Sequence, residues 1–248
     1  DQKFLWGPGK YYTTGTFVPM PKPIRNYDAV EMTLRRRLAN RWSGQFVYTW
    51  SRLHGNFPGL ASSDEGGRTS PNVNRMYDAI WMMYDDSGSK EPIVGRLNTD
   101  RPHLLKLQGT YDLPWGTRLG ASYYAWSGAL FSKQLSYQGY NPTFYDGRGS
   151  LGRTPVEQAV DLLVQHDINL KGHQAVQFSV NIDNLFDLKT VTDFNQTINR
   201  DSLAYDDATY FAGFDPWQLM QQEIAAGGDM RYNPLVVDAN GRFNSKPY

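Results

Sequence analysis

The side chains with chemistry to offer in this sequence are few and scattered. Its histidines, His54, His103, His166 and His173, form no His-x-x-x-His pair and flank no glutamate at metal-ligand spacing. Cysteine is absent, which excludes thiolate metal sites and disulfides within the chain. Acidic pairs occur at Asp64-Glu65, Asp85-Asp86 and Asp206-Asp207. Oxygen ligands in loops suit calcium, but none of these pairs follows the alternating acidic pattern of an EF-hand loop. Gly147-Arg148-Gly149 has no strand and helix at its flanks, so it is loop punctuation and not a phosphate cradle. No spacing places a serine, a histidine and an aspartate together. These observations predict a protein that is not an enzyme, with no metal and no cofactor. What remains is the chemistry of aromatic rings. Trp81, Tyr84, Trp126, Tyr137, Tyr140 and Trp217 are the candidate substrate-binding residues, since such rings stack on sugars, peptides and siderophores alike. The same rings also serve to pack loops together.

The bulk composition narrows the setting. Lysine and arginine total 25 against 25 acidic residues, so no electrostatic footprint argues for a nucleic-acid partner. No apolar run approaches the length of a membrane-crossing helix. Mean hydropathy is -0.58, and aromatic residues make up 14% of the chain. A hydrophilic average is compatible with a membrane barrel, whose lumen and loops are polar.

The elements that must position the rings are hairpins. From Tyr27 to Ser51 the sequence alternates with a period of two. Val30, Met32, Leu34 and Leu38 share one face of the first arm; Glu31, Thr33, Arg35 and Arg37 share the other. Ala39-Asn40-Arg41 is a short polar turn. In the second arm Trp42, Gly44, Phe46, Tyr48 and Trp50 alternate with Ser43, Gln45, Val47, Thr49 and Ser51. Each arm has room for the roughly 9–11 residues a tilted strand needs to cross a bilayer. Trp42 and Trp50 fall on one face, roughly 20 Å apart along the membrane normal at a tilt of about 40°. With Tyr111 and Trp115 they are the candidate membrane-girdle aromatics. A hairpin of a soluble sandwich, its apolar face in a core, fits this stretch equally well.

Two more hairpins repeat the plan. Pro102 to Ser127 sets His103, Leu105, Leu107, Gly109 and Tyr111 against Lys106, Gln108, Thr110 and Asp112, turns at Pro114-Trp115-Gly116, and returns. Val156 to Phe186 sets Val160, Leu162, Val164 and Ile168 against Asp161, Gln165, Asp167 and Asn169. It turns at Lys171-Gly172-His173 and returns through Val176, Phe178, Val180 and Ile182. The connections between hairpins, 52–100 and 128–155, are long, as is 187–248. Helical spacing from Ser70-Pro71 to Ser87-Gly88 predicts a helix in the first of these. Asp215-Pro216-Trp217-Gln218 predicts the capped start of another, ended by Gly227-Gly228. Connections that alternate short and long are the plan of an outer-membrane barrel, whereas a sandwich carries moderate loops at both ends. The repetition therefore favours an all-β, antiparallel transmembrane barrel segment. Its apolar face, including Phe46, Leu107, Val164, Phe178 and Val180, is expected to meet lipid. Gln45, Lys106, Gln108, Asp161, Gln177 and Asn181 are expected to face the lumen.

At this point the residues resemble a family. Tyr-Asp-Ala-Val-Glu at 27–31, Tyr48-Thr49-Trp50-Ser51, Arg101-Pro102-His103 and Tyr111-Asp112-Leu113-Pro114-Trp115-Gly116 are similar to the C-terminal barrel region of TonB-dependent outer-membrane receptors, in particular the Oar-like branch. Asn181-Ile182-Asp183-Asn184-Leu185-Phe186-Asp187 resembles that family's penultimate strand. The resemblance covers roughly residues 25–190, and the order and spacing of these motifs carry it. It implies a 22-stranded barrel with a plug, importing a scarce solute such as a siderophore, oligosaccharide or peptide. It also implies the cell outer membrane of a Gram-negative-type bacterium, extracellular long loops, and as partners outer-membrane lipid, the rest of the barrel and plug, and the TonB system. The chain departs from that pattern in showing no plug, no TonB box and no closing strand ending on an aromatic residue. Six strands fall short of about eight, the smallest closed membrane barrel, and would leave two edges in hydrocarbon. Residues 1–248 are thus expected to be one partial barrel domain of a longer receptor. An outer-membrane adhesin or structural barrel is the alternative function, and a soluble β-sandwich binding module is a further one.

Overall fold

The backbone is organised by six long antiparallel strands whose side chains alternate between two chemically distinct faces. The structure, a computed structural model, describes residues 9–11, 17–19, 21–59, 84, 91–137, 140–144, 146–170, 174–192, 195–200, 207–227, 232–234 and 236–238. Its elements in chain order are β1 (Gly9–Tyr11), β2 (Phe17–Pro19), β3 (Arg25–Ala39), β4 (Trp42–Gly55), β5 (Gly95–Arg96), β6 (His103–Asp112), β7 (Thr117–Trp126), β8 (Leu130–Phe131), β9 (Gln134–Tyr137), β10 (Tyr140–Phe144), β11 (Gly152–Arg153), β12 (Glu157–Asn169), β13 (Ala175–Ile182), α1 (Asp207–Ala212) and α2 (Pro216–Ala225).

The main sheet runs β13-β12-β7-β6-β4-β3, with β5 added beside β4. Every neighbour in that order is antiparallel, so the sheet is a meander of the three expected hairpins. Among the described residues it is open, with β3 and β13 at its two edges. The β3–β4 turn is made by Asn40 and Arg41, both with positive φ (53° and 72°). That matches the two-residue turn whose twist suits a hairpin, and asparagine tolerates the left-handed region better than most residues. Gly116, at φ 83°, serves the β6–β7 turn. The Asp112 N–H donates to the Arg41 carbonyl (2.7 Å) and the Asp167 N–H to the Gly116 carbonyl (2.9 Å), which ties the short-turn ends into one rim. Lys171-Gly172-His173 lie outside the described residues; Asn169 and Ala175 on either side are paired.

Register fixes the faces across the whole sheet. Leu34, Phe46, Leu107, Tyr123 and Val160 form one row, and Trp42, Tyr111, Leu119, Val164 and Val180 another, on the same side. On the opposite side Arg35, Gln45, Gln108, Ser122 and Asp161 form a row. A soluble sandwich would bury the first face. Here Val30, Phe178 and Val180 are 62%, 59% and 56% exposed, and no second sheet covers them among the described residues. Apart from Leu53 and Ala159 in β4 and β12, the buried apolar side chains, among them Leu97, Leu135, Phe144, Ile198, Tyr210 and Met220, lie instead in the connections at the other rim. This arrangement inverts that of a soluble domain: the sheet wears its apolar surface outside, and the packed core belongs to the loops.

Those connections are more ordered than their sequence predicts. Within 128–155, expected to be a loop, β8 pairs with β11 and β9 with β10. The last connection is stitched to it: the Gln134 N–H donates to the Gln196 carbonyl and the Ile198 N–H to the Gln134 carbonyl, each at 2.9 Å. The Asn199 amide both accepts from the Ser136 N–H (2.8 Å) and donates to its carbonyl (2.9 Å). Strands of two to five residues carry too little alternation to be read locally, and residues at positive φ (Asp146, Gly147, Gly149 and Gly152) interrupt the run. The second expected helix is α2. Asp215 caps it through hydrogen bonds from the backbone N–H of Trp217 (2.9 Å) and Gln218 (3.3 Å), and Gly227 at φ 80° ends it. Gly228 and the segment 239–248 fall outside the described residues, as does the helix expected between Ser70-Pro71 and Ser87-Gly88 apart from Tyr84, which forms an antiparallel bridge with Pro92.

Candidate functional site

The lumen face carries polar side chains that satisfy one another across strands. The Gln108 Nε2 donates to the Gln45 Oε1 at 3.0 Å, and the Ser122 hydroxyl to the Asp161 Oδ2 at 3.0 Å. Ser43 and Thr110 share a hydrogen bond of 2.7 Å, and the Gln177 amide donates to Asp167 at 2.9 Å. The first three of these cross-strand pairs line a concavity of about 570 Å³ toward the short-turn half of the wall. Its charges are separated: Arg35 and Arg37 on β3, Asp161 and Asp183 at the β12–β13 side. A polar partner inside the lumen would therefore meet a basic strip and an acidic strip on one wall.

Toward the other rim the lumen face becomes aromatic. Trp126, the last residue of β7, stacks on Tyr124 with ring centroids 4.8 Å apart. The Trp126 indole N–H donates to the Glu157 carboxylate at 2.6 Å. Both rings lie on the lumen side, since Trp126 pairs with Leu104 and Glu157, and Tyr124 with Lys106 and Ala159. A fixed, half-exposed aromatic platform beside a carboxylate is an arrangement suited to stacking on a ring-bearing ligand with hydroxyl or amine donors.

Above this platform one carboxylate clamps the roots of the long connections. Asp100 is fully buried and accepts from the Leu53 N–H (2.6 Å), from the Arg96 guanidinium (2.9 Å) and from the Arg153 guanidinium. Arg153 also donates to the carbonyls of Asp100 and Gly128. Nearby, Arg101 donates to the Ser127 carbonyl at 2.8 Å; burial pushes its guanidinium below the ordinary value, opposed by the pull of Glu157. The starts and ends of two long connections are thereby locked over the wall. None of this was legible from spacing, because Leu53, Asp100, Gly128 and Arg153 are far apart in sequence.

The six aromatic candidates separate. Trp126 is on the lumen face, as described. Tyr84 is only 2% exposed, packs edge-on against Phe211, and its carbonyl accepts the Tyr210 hydroxyl at 3.0 Å. Its ring is packed among the loops, and burial pushes its phenol up. Trp217 is half-buried in the first turn of α2 and stacks on Tyr232 at 4.7 Å. Tyr137 and Tyr140 face each other as the ends of β9 and β10, with only their backbones described, and Trp81 lies outside the described residues. Among the described side chains, Trp126, Tyr84 and Trp217 each have a different ring partner. Of the girdle candidates, Trp42 and Tyr111 are directly opposed near the turn rim, Trp50 pairs with His103 at the far end of the span, and Trp115 is exposed in the turn between β6 and β7. Among the described residues no three acidic or histidine side chains converge as a metal site.

Sequence reasoning passed over one residue on the apolar face. Register places Arg36 opposite Gly44, on the side of Phe46 and Trp42. A register shift between Arg36 and Ala39 then carries the chain into the turn.

A described protein family matches residues 13–136, and its description is "Outer membrane beta barrel domain". The chain belongs to that family. It is an antiparallel segment of an outer-membrane β-barrel, and its exposed apolar face meets lipid. It is also similar to the TonB-dependent transporter Oar of Myxococcus xanthus, at 34% identity over 200 residues. That match covers 78% of this chain and 18% of the relative, so the chain spans under a fifth of the relative's length. No solved structure matches the chain.

Proposed function

We propose that this barrel segment is part of a TonB-dependent active importer, contributing six strands of wall and the loops above them. The observation that carries the reading is the similarity to a protein described as a TonB-dependent transporter, over 200 residues and 78% of this chain. Physical support comes from the lumen face. Its separated basic and acidic strips suit a plug docked against the wall, and the Trp126–Tyr124 platform faces the route a solute would take past that plug. The solute class is a ring-bearing siderophore, oligosaccharide or peptide, met by Trp126 and, from the loops, by Trp217, Trp81, Tyr137 and Tyr140. No catalytic step is assigned to any residue. Residues 1–248 act as one partial barrel domain, whose partners are lipid, the remaining strands, the plug and the TonB system.

The test is energy dependence. Cells carrying the full-length protein are assayed for uptake of candidate siderophores, oligosaccharides and peptides, with and without a functional TonB system. Importer function predicts uptake that vanishes without TonB and falls when Trp126 is replaced by alanine. Surface binding that persists unchanged without TonB, with no uptake of any solute, would instead indicate an adhesin or structural barrel.

A further inference from the structure

The lipid face is not a uniform apolar surface. Gly44, Gly109 and Ala121 are consecutive members of one row across β4, β6 and β7. On one side of them stands the ridge Trp42, Tyr111 and Leu119; on the other stands Phe46, Leu107 and Tyr123. The absent side chains leave a groove of about 620 Å³ between the two ridges. At the β3 end of the groove lies Arg36. Its guanidinium sits 4.0 Å above the Trp42 ring centroid, and its Nη2 donates to the Ala39 carbonyl at 3.2 Å, so the charged head leans toward the turn rim. Its Nε has no hydrogen-bond partner.

A cation at the edge of a lipid-facing groove wants an anion at that depth. No acidic residue lies between Glu31 and Asp64, and Asp112 and Asp167 at the same rim face the lumen, where Asp112 is paired with Arg118 at 2.6 Å and Asp167 accepts from Gln177 at 2.9 Å. Long cationic side chains that reach toward the interface place their charge among headgroups. The short turns of an outer-membrane barrel mark the periplasmic rim. We infer that this groove seats one phospholipid of the periplasmic leaflet, its phosphate on Arg36 and an acyl chain over Gly44, Gly109 and Ala121. The guanidinium offers phosphate a planar fork of donors, and stacking on Trp42 holds that fork in place. The inference rests on the outer-membrane assignment and not on transport.

The experiment is native mass spectrometry of the full-length protein in detergent, titrated with dioleoyl phosphatidylglycerol. Dioleoylglycerol, which has the same chains and no phosphate, is run in parallel. Each variant is first checked for heat-modifiable migration. Gly44→Leu fills the groove; a Cβ at Gly44 meets its nearest neighbour at an unstrained 3.6 Å. Ala121→Leu is the substitute if that variant does not fold. The expected result is one retained phosphatidylglycerol whose occupancy falls about tenfold in Arg36→Gln, the loss of a charge-assisted bond, and comparably in the groove-filling variant. Arg36→Lys should retain part of the binding, Arg37→Gln all of it, and dioleoylglycerol should not be retained. Equal losses in Arg36→Gln and Arg37→Gln would overturn the inference, because any basic rim would then suffice. An unchanged adduct in the groove-filling variant would overturn it as well.

Discussion

Leu107 and Gln108 are adjacent on β6 and lie at the same depth, yet they meet different solvents. Leu107 stands in the row with Phe46 and Tyr123, and Gln108 in the row with Gln45 and Ser122. Leu107 is four residues from His103, which pairs with Trp50, and four from Tyr111, which pairs with Trp42. At about 3.4 Å per residue and a tilt of about 40°, that sets it roughly 10 Å from each aromatic level, close to the midplane of the apolar band. An arginine on the lipid face at that depth costs about 2–4 kcal/mol. The same substitution at Gln108 loses the hydrogen bond to Gln45 and costs at most about 1 kcal/mol. The assay is reversible folding of the full-length protein into phospholipid vesicles, followed by denaturant titration of the wild type, Leu107→Arg and Gln108→Arg. A midpoint shift several times larger for Leu107→Arg is expected. Equal shifts at the two positions would refute the assignment of faces on which everything else depends.

Two further outcomes follow from the loop roots. Asp100→Ala leaves the Arg153 guanidinium and the Leu53 N–H without their partner. Breaking a buried ion pair costs about 3–5 kcal/mol, and since Arg96 and Arg153 are 41% and 23% exposed the lower end, about 3 kcal/mol, applies. Limited proteolysis of the full-length protein should cut the outer connections at least about tenfold faster in this variant, with the strands still protected. Glycine positions give a paired test. A Cβ at Gly128 would overlap the Thr154 carbonyl, so Gly128→Ala should destabilise by about 1–3 kcal/mol. Gly147 has open space around it and φ 75°, so Gly147→Ala should cost about 1 kcal/mol of backbone strain, measured by the same titration.

The hairpins were legible because each repeats a two-residue period long enough to be seen above its neighbours. β12 alone offers Val160, Leu162, Val164 and Ile168 against Asp161, Gln165, Asp167 and Asn169. Their bounds moved little, and Asn40-Arg41 marked the first turn by residue type. The loops were legible only at α2, where Asp215 and Pro216 announce a helix start through local chemistry. The pairing of Leu130 and Phe131 with Gly152 and Arg153 is a contact between distant residues and leaves no local period. The Asp100 clamp is of the same kind. Ring type alone does not separate a stacking residue from a packing one, and the burial of Tyr84 against Phe211 left no mark in its sequence. The Glu157 carboxylate that fixes the Trp126 ring is its partner across β7 and β12 and left no local signal. Arg36 was passed over because the alternation was read from its apolar members, and a charged residue on their face interrupts it.

The most direct test is a nitroxide scan along β13. Residues 1–248 contain no cysteine, and single cysteines at 175–182, in a full-length protein from which any cysteine elsewhere has been removed, can each carry a spin label. After reconstitution in bilayers, collision rates with oxygen and with a water-soluble nickel chelate are measured at every position. The barrel predicts strict alternation: labels at 176, 178, 180 and 182 favour oxygen, and those at 175, 177, 179 and 181 do not. Uniform exposure to the nickel chelate at all eight positions, or uniform protection from both reagents, would contradict a strand with one face in lipid.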